Sequence, residues 1–313
     1  MTHQESIILL TPIFKERIWG GRSLQQFGYA LPEGNIGECW GISGHPQGQS
    51  IIASGRFQGQ KFQQVYQNNP HLFNHPKSKE LPLLVKIIDA KADLSVQVHP
   101  DNTYARQHEN QNGKHESWLV LDTNPHTRLQ LGHRAPNSQA FKQMVEEEKW
   151  NDLLIYRPIQ KDDVIDIQPG TLHALCAGTL VLEIQQSSDV TYRVYDYQRR
   201  DAKGELRPLH LPQAIAVTTS PFIEPTSTKL QRTIKNQIQT LINNSFYTIE
   251  ALGVDTPMIV PHPRHRYATV IEGTLTIEGV TLHKGQHAMI TSEINQLSIS
   301  GNGWIIFATS KED

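Results

Sequence analysis

The sequence predicts a mainly β protein in two lobes with a few short helices, and three observations carry that prediction. Short apolar or alternating runs recur along most of the 313 residues. Gly, Pro, Asn or Asp breaks them at close intervals, as in sandwiches and barrels. Helical spacing of apolar residues is confined to a handful of stretches.

In chain order, residues 6–10, 81–89, 93–99, 116–122, 127–131, 163–167, 179–185 and 191–197 read as a first set of strands. Residues 246–251, 267–271, 274–277, 287–291, 296–300 and 303–307 read as a second set. Residues 61–67 and 103–109 are short helix candidates. Asn137 is placed to cap a longer helical segment near 137–152, with Phe141, Met144 and Val145 at helical spacing. Residues 220–236 carry two prolines and a mixed Ser/Thr/Lys/Arg run, with little pattern, and read as a connection between lobes. The expected division is therefore 1–225 for a larger domain and 226–313 for a smaller β domain. Two pieces echo each other: IQPGTLHAL (167–175) and LHKGQHAMI (282–290) each place a His and an Ala shortly after a Gly. A doubled barrel and chance similarity both account for the echo.

Composition narrows the function. Hydrophobic residues make up 37% and charged residues 19%, as in a soluble globular chain. The net charge is -2 with Lys and Arg scattered, which argues against nucleic acid or a membrane surface as partner. Cys39 and Cys176 form no metal-binding pair, so a reducing compartment is expected rather than a disulfide framework. The start, MTHQESIILLTPIF, lacks the basic end and long apolar run of a secretion signal. No stretch approaches 18 uninterrupted apolar residues, so no spanning helix is expected and the cytoplasm is the expected location. The chain holds 15 histidines, the commonest metal ligands and near-neutral acid–base groups, so their positions matter.

The stretch LSVQVHPDN (94–102) alternates apolar and polar residues and ends in a turn. Residues two apart in a strand share a face, so Ser95, Gln97 and His99 point one way and Leu94, Val96 and Val98 the other. In GKHESWLVLD (113–122), Glu116, Trp118 and Val120 share a face; an inward Glu and a solvated Glu at a strand start both fit. In QPGTLHA, a Pro-Gly turn sets His173 at the start of a strand, as ligand or as satisfied core residue. In LVLEIQQSSDVTYRVYDY (180–197), Val181, Glu183 and Gln185 share one face, and Thr191, Arg193 and Tyr195 share another beyond a turn. Together Gln97, His99, Glu116 and His173 suit a divalent ion of intermediate hardness such as Zn²⁺, with Mn²⁺, Fe²⁺ or Co²⁺ as options.

The spacing of His99, Glu116 and PGTLH resembles the cupins, whose two motifs bring His and Glu ligands to one metal in a jelly-roll barrel. The wording is closer still to the type I phosphomannose isomerases in their short bacterial form. IWGGRSL, LPLLVKIIDA, LSVQVHPDN, GKHESW, QPGTLHA and EIQQSSDVTYRVYD carry the likeness, from residue 18 to about 197. HPDN stands where HPDD is common, a departure that touches no proposed ligand. The resemblance implies double-stranded β-helix barrels in both lobes, the second without metal. It implies one zinc on Gln97, His99, Glu116 and His173, a catalytic arginine at Arg193, and interconversion of mannose 6-phosphate and fructose 6-phosphate.

That reaction moves a proton between C1 and C2 through an enediol, and a fixed guanidinium can stabilise charge on the sugar oxygens. Glu183, on an inward face near Arg193, is the expected proton shuttle. Ser95 and Lys86 are the expected phosphate contacts, with Lys114 also near in sequence. The expected partner is a small sugar phosphate, and the expected state a monomer or weak homodimer. Another cupin metalloenzyme, such as an iron oxygenase, and a non-catalytic sugar-binding module remain the competing readings.

Overall fold

The computed structural model describes residues 6–201 and 203–311. Strands take 43% of the chain and helices 14%, so the class is mainly β. The strands form three antiparallel sheets. A seven-stranded sheet runs Ser227–Lys229, Asp163–Ile167, Glu116–Thr123, Thr179–Gln186, Leu83–Ala90, Ile13–Gly21, Ile36–Ile42. A five-stranded sheet runs Tyr192–Tyr195, Val96–Val98, His173–Leu175, Arg128–His133, Leu154–Pro158. These two close around one core, where Trp118, Val120, Ile165 and Val181 of the first meet Leu129, Leu131 and Leu175 of the second.

The alternation of each strand decides which lobe feels it. From Thr179–Gln186, Val181 enters the barrel core while Leu180, Leu182 and Ile184 face the C-terminal lobe. Glu116–Thr123 behaves alike, with Trp118 and Val120 inward and Leu119 and Leu121 outward. The outward row packs on Ile249, Ala251, Tyr267 and Ile306 of a nine-stranded sheet. On the far side of the five-stranded sheet, Val96, Val98, Ala174 and Val194 pack against Phe141, Val145, Leu153 and Ala214 from the helices.

Helices cover Phe62–Asn68, Asn102–His108 and Ser138–Glu146, close to the expected positions, with Trp150–Leu153 and Leu211–Val217 in addition. Asn137 caps the third, its side chain accepting from Ala140 N–H at 2.9 Å. Several expectations are revised. Residues 267–271 and 274–277 are one strand, Arg266–Ile277, which passes through a bulge between Val270 and Glu272. Residues 296–300 and 303–307 likewise join as Gln296–Ser310. The supposedly patternless 220–236 contains Ser227–Lys229, pinned to Asp163–Ile165 at the edge of the seven-stranded sheet. Tyr195 does not share the face of Arg193, because a register shift separates them; it stacks on Trp150 with centroids 4.7 Å apart.

The chain also crosses between lobes where sequence order gave no sign of it. Ile7–Thr11 pairs with His287–Ile290 and with Ile51–Ile52, so the N-terminal strand is built into the nine-stranded sheet. Ile13–Gly21 and Ile36–Ile42 carry no alternating signal; the first is interrupted by bulges and the second is buried throughout, with two glycines. The echo of residues 167–175 and 282–290 has a shared geometry. Gly170 and Gly285 both sit in the left-handed region, with φ of 86° and 88°, which glycine adopts without a Cβ penalty. Each turn leads into a short strand that begins with a buried histidine, His173 or His287.

Replacing Asn137 by Ala removes the cap bond and is expected to lower stability by about 1 kcal/mol. A urea titration checks this, with unchanged turnover as the companion result.

Candidate active site

Short-range connections assemble the site. The strand bearing Gln97 ends at His99 because Pro100 offers no N–H and Asp101 caps the next helix, accepting from Tyr104 N–H at 2.8 Å. That helix returns the chain so that Lys114 N–H donates to the Pro100 carbonyl at 3.1 Å, which sets Lys114 and Glu116 beside His99. Gly170 N–H donates to the His99 carbonyl at 2.9 Å and brings the His173 turn to the same place. Gln97 lies between His173 and Arg193 across the five-stranded sheet.

His99, Glu116 and His173 converge with ligand atoms all within 4.8 Å of one another. All three are essentially inaccessible to solvent. His99 Nδ1–H donates to the Val190 carbonyl and His173 Nδ1–H to the Thr171 carbonyl, each at 2.8 Å. A neutral ring that donates from Nδ1 presents a lone pair at Nε2. Burial, then the Lys114 charge, pushes the His99 imidazole down to about 3, which keeps it neutral. His173 Nε2 then stands 3.1 Å from Glu116 Oε1, and His99 Nε2 stands 3.4 Å from Oε2. These are acceptors facing acceptors. Among the described residues neither Glu116 oxygen nor His173 Nε2 has a hydrogen-bond partner of suitable direction.

Burial favours protonation of Glu116, but the Lys114 ammonium beside it outweighs this and holds the carboxyl well below its usual range. Lys114 Nζ reaches Oε2 at 2.6 Å and His99 Nε2 at 3.2 Å. This buried donor set, two imidazoles and a carboxylate with fixed tautomers, fits a divalent cation. Among the described residues it is the one His/Cys/Asp/Glu group of that kind.

A cavity of about 330 Å³ opens in front of it, walled by Gln97, Lys114, Ser95, Glu183, Arg193 and Arg207 among others. A larger cavity of about 570 Å³, rich in Gln and Asn, lies beyond the 187–189 turn and is lined by none of Gln97, Lys114, Glu183 or Arg193. The smaller one is the site because its wall holds the chemistry. Glu183 is buried; Trp118 Nε1–H donates to its Oε1 at 3.1 Å, and Lys86 Nζ lies 3.2 Å from Oε2. Burial raises its carboxyl above the usual value, and Lys114 and Lys86 offset this only in part. Arg193 Nε donates to Ser95 Oγ at 3.3 Å and Nη1 to the Pro208 carbonyl at 2.7 Å.

The structure thus brings Gln97, His99, Glu116, His173, Glu183, Arg193 and Ser95 to one place. Lys86 is there too, but it lies against Glu183 and also 3.8 Å from Asp189, with 3% exposure. Sequence reasoning gave Lys114 no role, although it stands two residues before Glu116, just ahead of the strand. It missed Arg207, which lies in a segment without strand pattern. Arg207 donates from Nε and Nη2 to Asp196, at 2.7 and 2.5 Å, and lines the cavity.

A jelly-roll barrel that gathers such ligands beside a sugar-sized cavity defines the class as a cupin-type metal site. Residues 7–125 match the family model for the catalytic domain of type I phosphomannose isomerase. The mannose-6-phosphate isomerase ManA of Bacillus subtilis is 36% identical over 94% of this chain and 96% of its own length. The mannose-6-phosphate isomerase of Streptococcus mutans is 35% identical over 98% of this chain and 99% of its own. A crystal structure of the Bacillus subtilis mannose 6-phosphate isomerase superposes with a TM-score of 0.91 at 35% identity, covering 97% of this chain and 99% of that one. The chain belongs to the type I phosphomannose isomerase family, metal-dependent enzymes that interconvert an aldose and a ketose.

Glu116→Gln and His173→Ala are expected to weaken divalent metal binding by more than the roughly 10- to 100-fold that loss of an outer-shell partner costs. Equilibrium dialysis with metal analysis by emission spectroscopy checks this.

Proposed function

We propose that the chain interconverts mannose 6-phosphate and fructose 6-phosphate at one zinc held by Gln97, His99, Glu116 and His173. The observation that carries this reading is the set of three buried acceptor atoms converging behind a wall that also presents Glu183 and Arg193. Imidazole and carboxylate donors without a thiolate support zinc, and Gln97 is the neutral fourth donor next to His173 in register. When bound, the ion supplies Lewis-acid polarisation of the sugar oxygens at C1 and C2.

The chain's own residues do the rest. Glu183 takes the proton from C2 of the open-chain aldose and returns it to C1 of the enediol, while the O2 hydroxyl proton passes to O1, so that the C1 carbonyl becomes a hydroxyl and C2 a carbonyl. Its raised carboxyl suits that task, since a base with a higher pKa removes a carbon-bound proton more readily. Trp118 Nε1–H and Lys86 fix its two oxygens and so its aim. Arg193 is held by Ser95 and Pro208, which leaves its Nη2 donors for charge developing on the sugar oxygens.

For the phosphate, the geometry favours Ser95 and Arg207. Arg207 is anchored on Asp196 through Nε and Nη2, which leaves Nη1 for an anion in the cavity it lines. Lys86, first expected there, has its charge engaged by two carboxylates, and its proposed role becomes the orientation of Glu183. Residues up to about 225 carry the catalytic machinery in this reading, and 226–313 supply a smaller lobe without a metal site. Action in the cytoplasm as a monomer or weak homodimer belongs to the same proposal, and no helix among the described residues is long and apolar enough to cross a membrane.

A coupled assay of fructose 6-phosphate formation from mannose 6-phosphate tests the reading. Activity is expected to vanish on chelation and return with added zinc, and no turnover of mannose 6-phosphate by the zinc-loaded protein contradicts it. Glu183→Gln is expected to lower kcat by about 10²- to 10⁴-fold and to abolish solvent-proton exchange at C2. Because its carboxyl is raised by burial, the acid limb of the wild-type kcat profile should lie above the ordinary glutamate range, with activity lost as pH falls through it. Arg207→Ala is expected to raise KM by roughly tenfold or more, as for a charged hydrogen bond, with kcat changed far less.

A further inference from the structure

Glu116 faces the barrel, but its chain neighbours, His115 just before the strand and Ser117 on it, face the C-terminal lobe. Both end on Asp166, which is buried on the adjoining strand. His115 Nε2 lies 2.9 Å from Asp166 Oδ1, and Ser117 Oγ donates to the same oxygen at 2.7 Å. A third donor comes from the other lobe: Asn244 Nδ2 reaches Asp166 Oδ1 at 3.0 Å. Tyr247 OH, fully buried, lies 2.9 Å from Ser117 Oγ. Since the one hydroxyl proton of Ser117 goes to the carboxylate, Tyr247 is the donor in that pair. Asn244 is itself fixed, its Oδ1 accepting from Phe246 N–H at 2.9 Å and Tyr247 N–H at 3.0 Å. The His115 ring also meets Phe246 and Tyr247 edge-on, with centroids 5.4 and 5.9 Å away.

We propose that Asn244 and Tyr247 of the C-terminal lobe are positioning residues for Glu116, clamping the strand on both sides of that ligand through Asp166 and Ser117. The lobe that contributes none of the converging ligands thereby sets the geometry of the site in the other. The proposal rests on the metal reading above. A carboxylate that must meet two fixed imidazoles at one point tolerates little displacement of its backbone. The strand position holding it is fixed by paired hydrogen bonds immediately before and after, in a buried interface where each bond is worth more than in water. Among the described residues no hydrogen bond reaches Glu116 from this lobe, so the effect is one of placement.

Zinc-loaded wild type, Tyr247→Phe and Asn244→Ala are compared for the rate of zinc release to a chromogenic chelator and for the visible spectrum after cobalt substitution. Tyr247→Phe keeps the buried ring, and removal of its hydroxyl alone is compatible with folding. Tyr267→Phe is the matched control. It also sits in the lobe interface, where its hydroxyl meets Leu83 N–H at 3.4 Å, but it lies behind no metal ligand. The expected result is zinc release about tenfold faster in Tyr247→Phe and Asn244→Ala, with a shifted cobalt spectrum and neither change in Tyr267→Phe. Unchanged release and spectrum in both variants, with zinc bound to the wild type, overturn the proposal alone. Equal acceleration in Tyr267→Phe overturns it by making the effect a general loosening of the interface. A wild type that holds no zinc overturns the metal reading and the proposal with it.

Discussion

Two imidazole nitrogens and a carboxylate present lone pairs to one another in the buried interior of a barrel, and nothing among them can donate. That unsatisfied convergence is the constraint on which the rest of the structure depends. Left without a cation, each buried acceptor forfeits its hydration, and the carboxylate retains a charge that burial penalises by several kcal/mol. Lys114 answers part of the demand through Glu116 Oε2 and His99 Nε2. It leaves Oε1 and His173 Nε2 facing each other. The backbone supports the same end, because Val190 and Thr171 take the Nδ1 protons that would otherwise have allowed either tautomer.

The cavity in front of this point is lined with charges, and most are paired. Arg17 forms a double hydrogen bond to Glu38, which also accepts from Trp40 Nε1–H. Lys86 lies against Glu183 and Asp189, and Arg207 against Asp196. Burial would raise the Glu38 carboxyl, yet Lys86 and Arg17 hold it down at about 2. Arg193 differs: among the described residues its hydrogen bonds go to neutral acceptors, Ser95 and Pro208. A guanidinium that is placed but not neutralised suits stabilisation of charge that appears only during reaction. Glu183, raised by its burial, is the complementary case of a carboxylate tuned towards accepting a proton.

Much of this was legible in the sequence because period-two alternation and a single proline act locally. LSVQVHPDN showed a strand whose polar face was too rich in ligand groups to be a solvent face. The structure puts Val96 and Val98 against the helices and Ser95 and His99 towards the site. Glu116 and His173 stayed open on local pattern alone, and the combined set with the resemblance to cupins and phosphomannose isomerases singled them out. The parts that escaped depend on contacts distant along the chain. Ile7–Thr11 belongs to the far sheet because His287–Ile290 is its partner, and no local pattern encodes that pairing. The register shift after Arg193 turns Tyr195 away, and a one-residue irregularity of this kind leaves no mark on hydrophobic alternation. Arg207 reaches the cavity only through its bond to Asp196, and Asn244 and Tyr247 matter only once the two lobes are seen face to face.

Anomalous diffraction at the zinc edge, from crystals of the purified zinc-loaded protein, tests the central claim most directly. The account predicts one strong peak per chain, within bonding distance of His99 Nε2, His173 Nε2 and Glu116, with Gln97 as the neutral ligand. A peak elsewhere, or no peak with Lys114 still seated on Glu116, would contradict it.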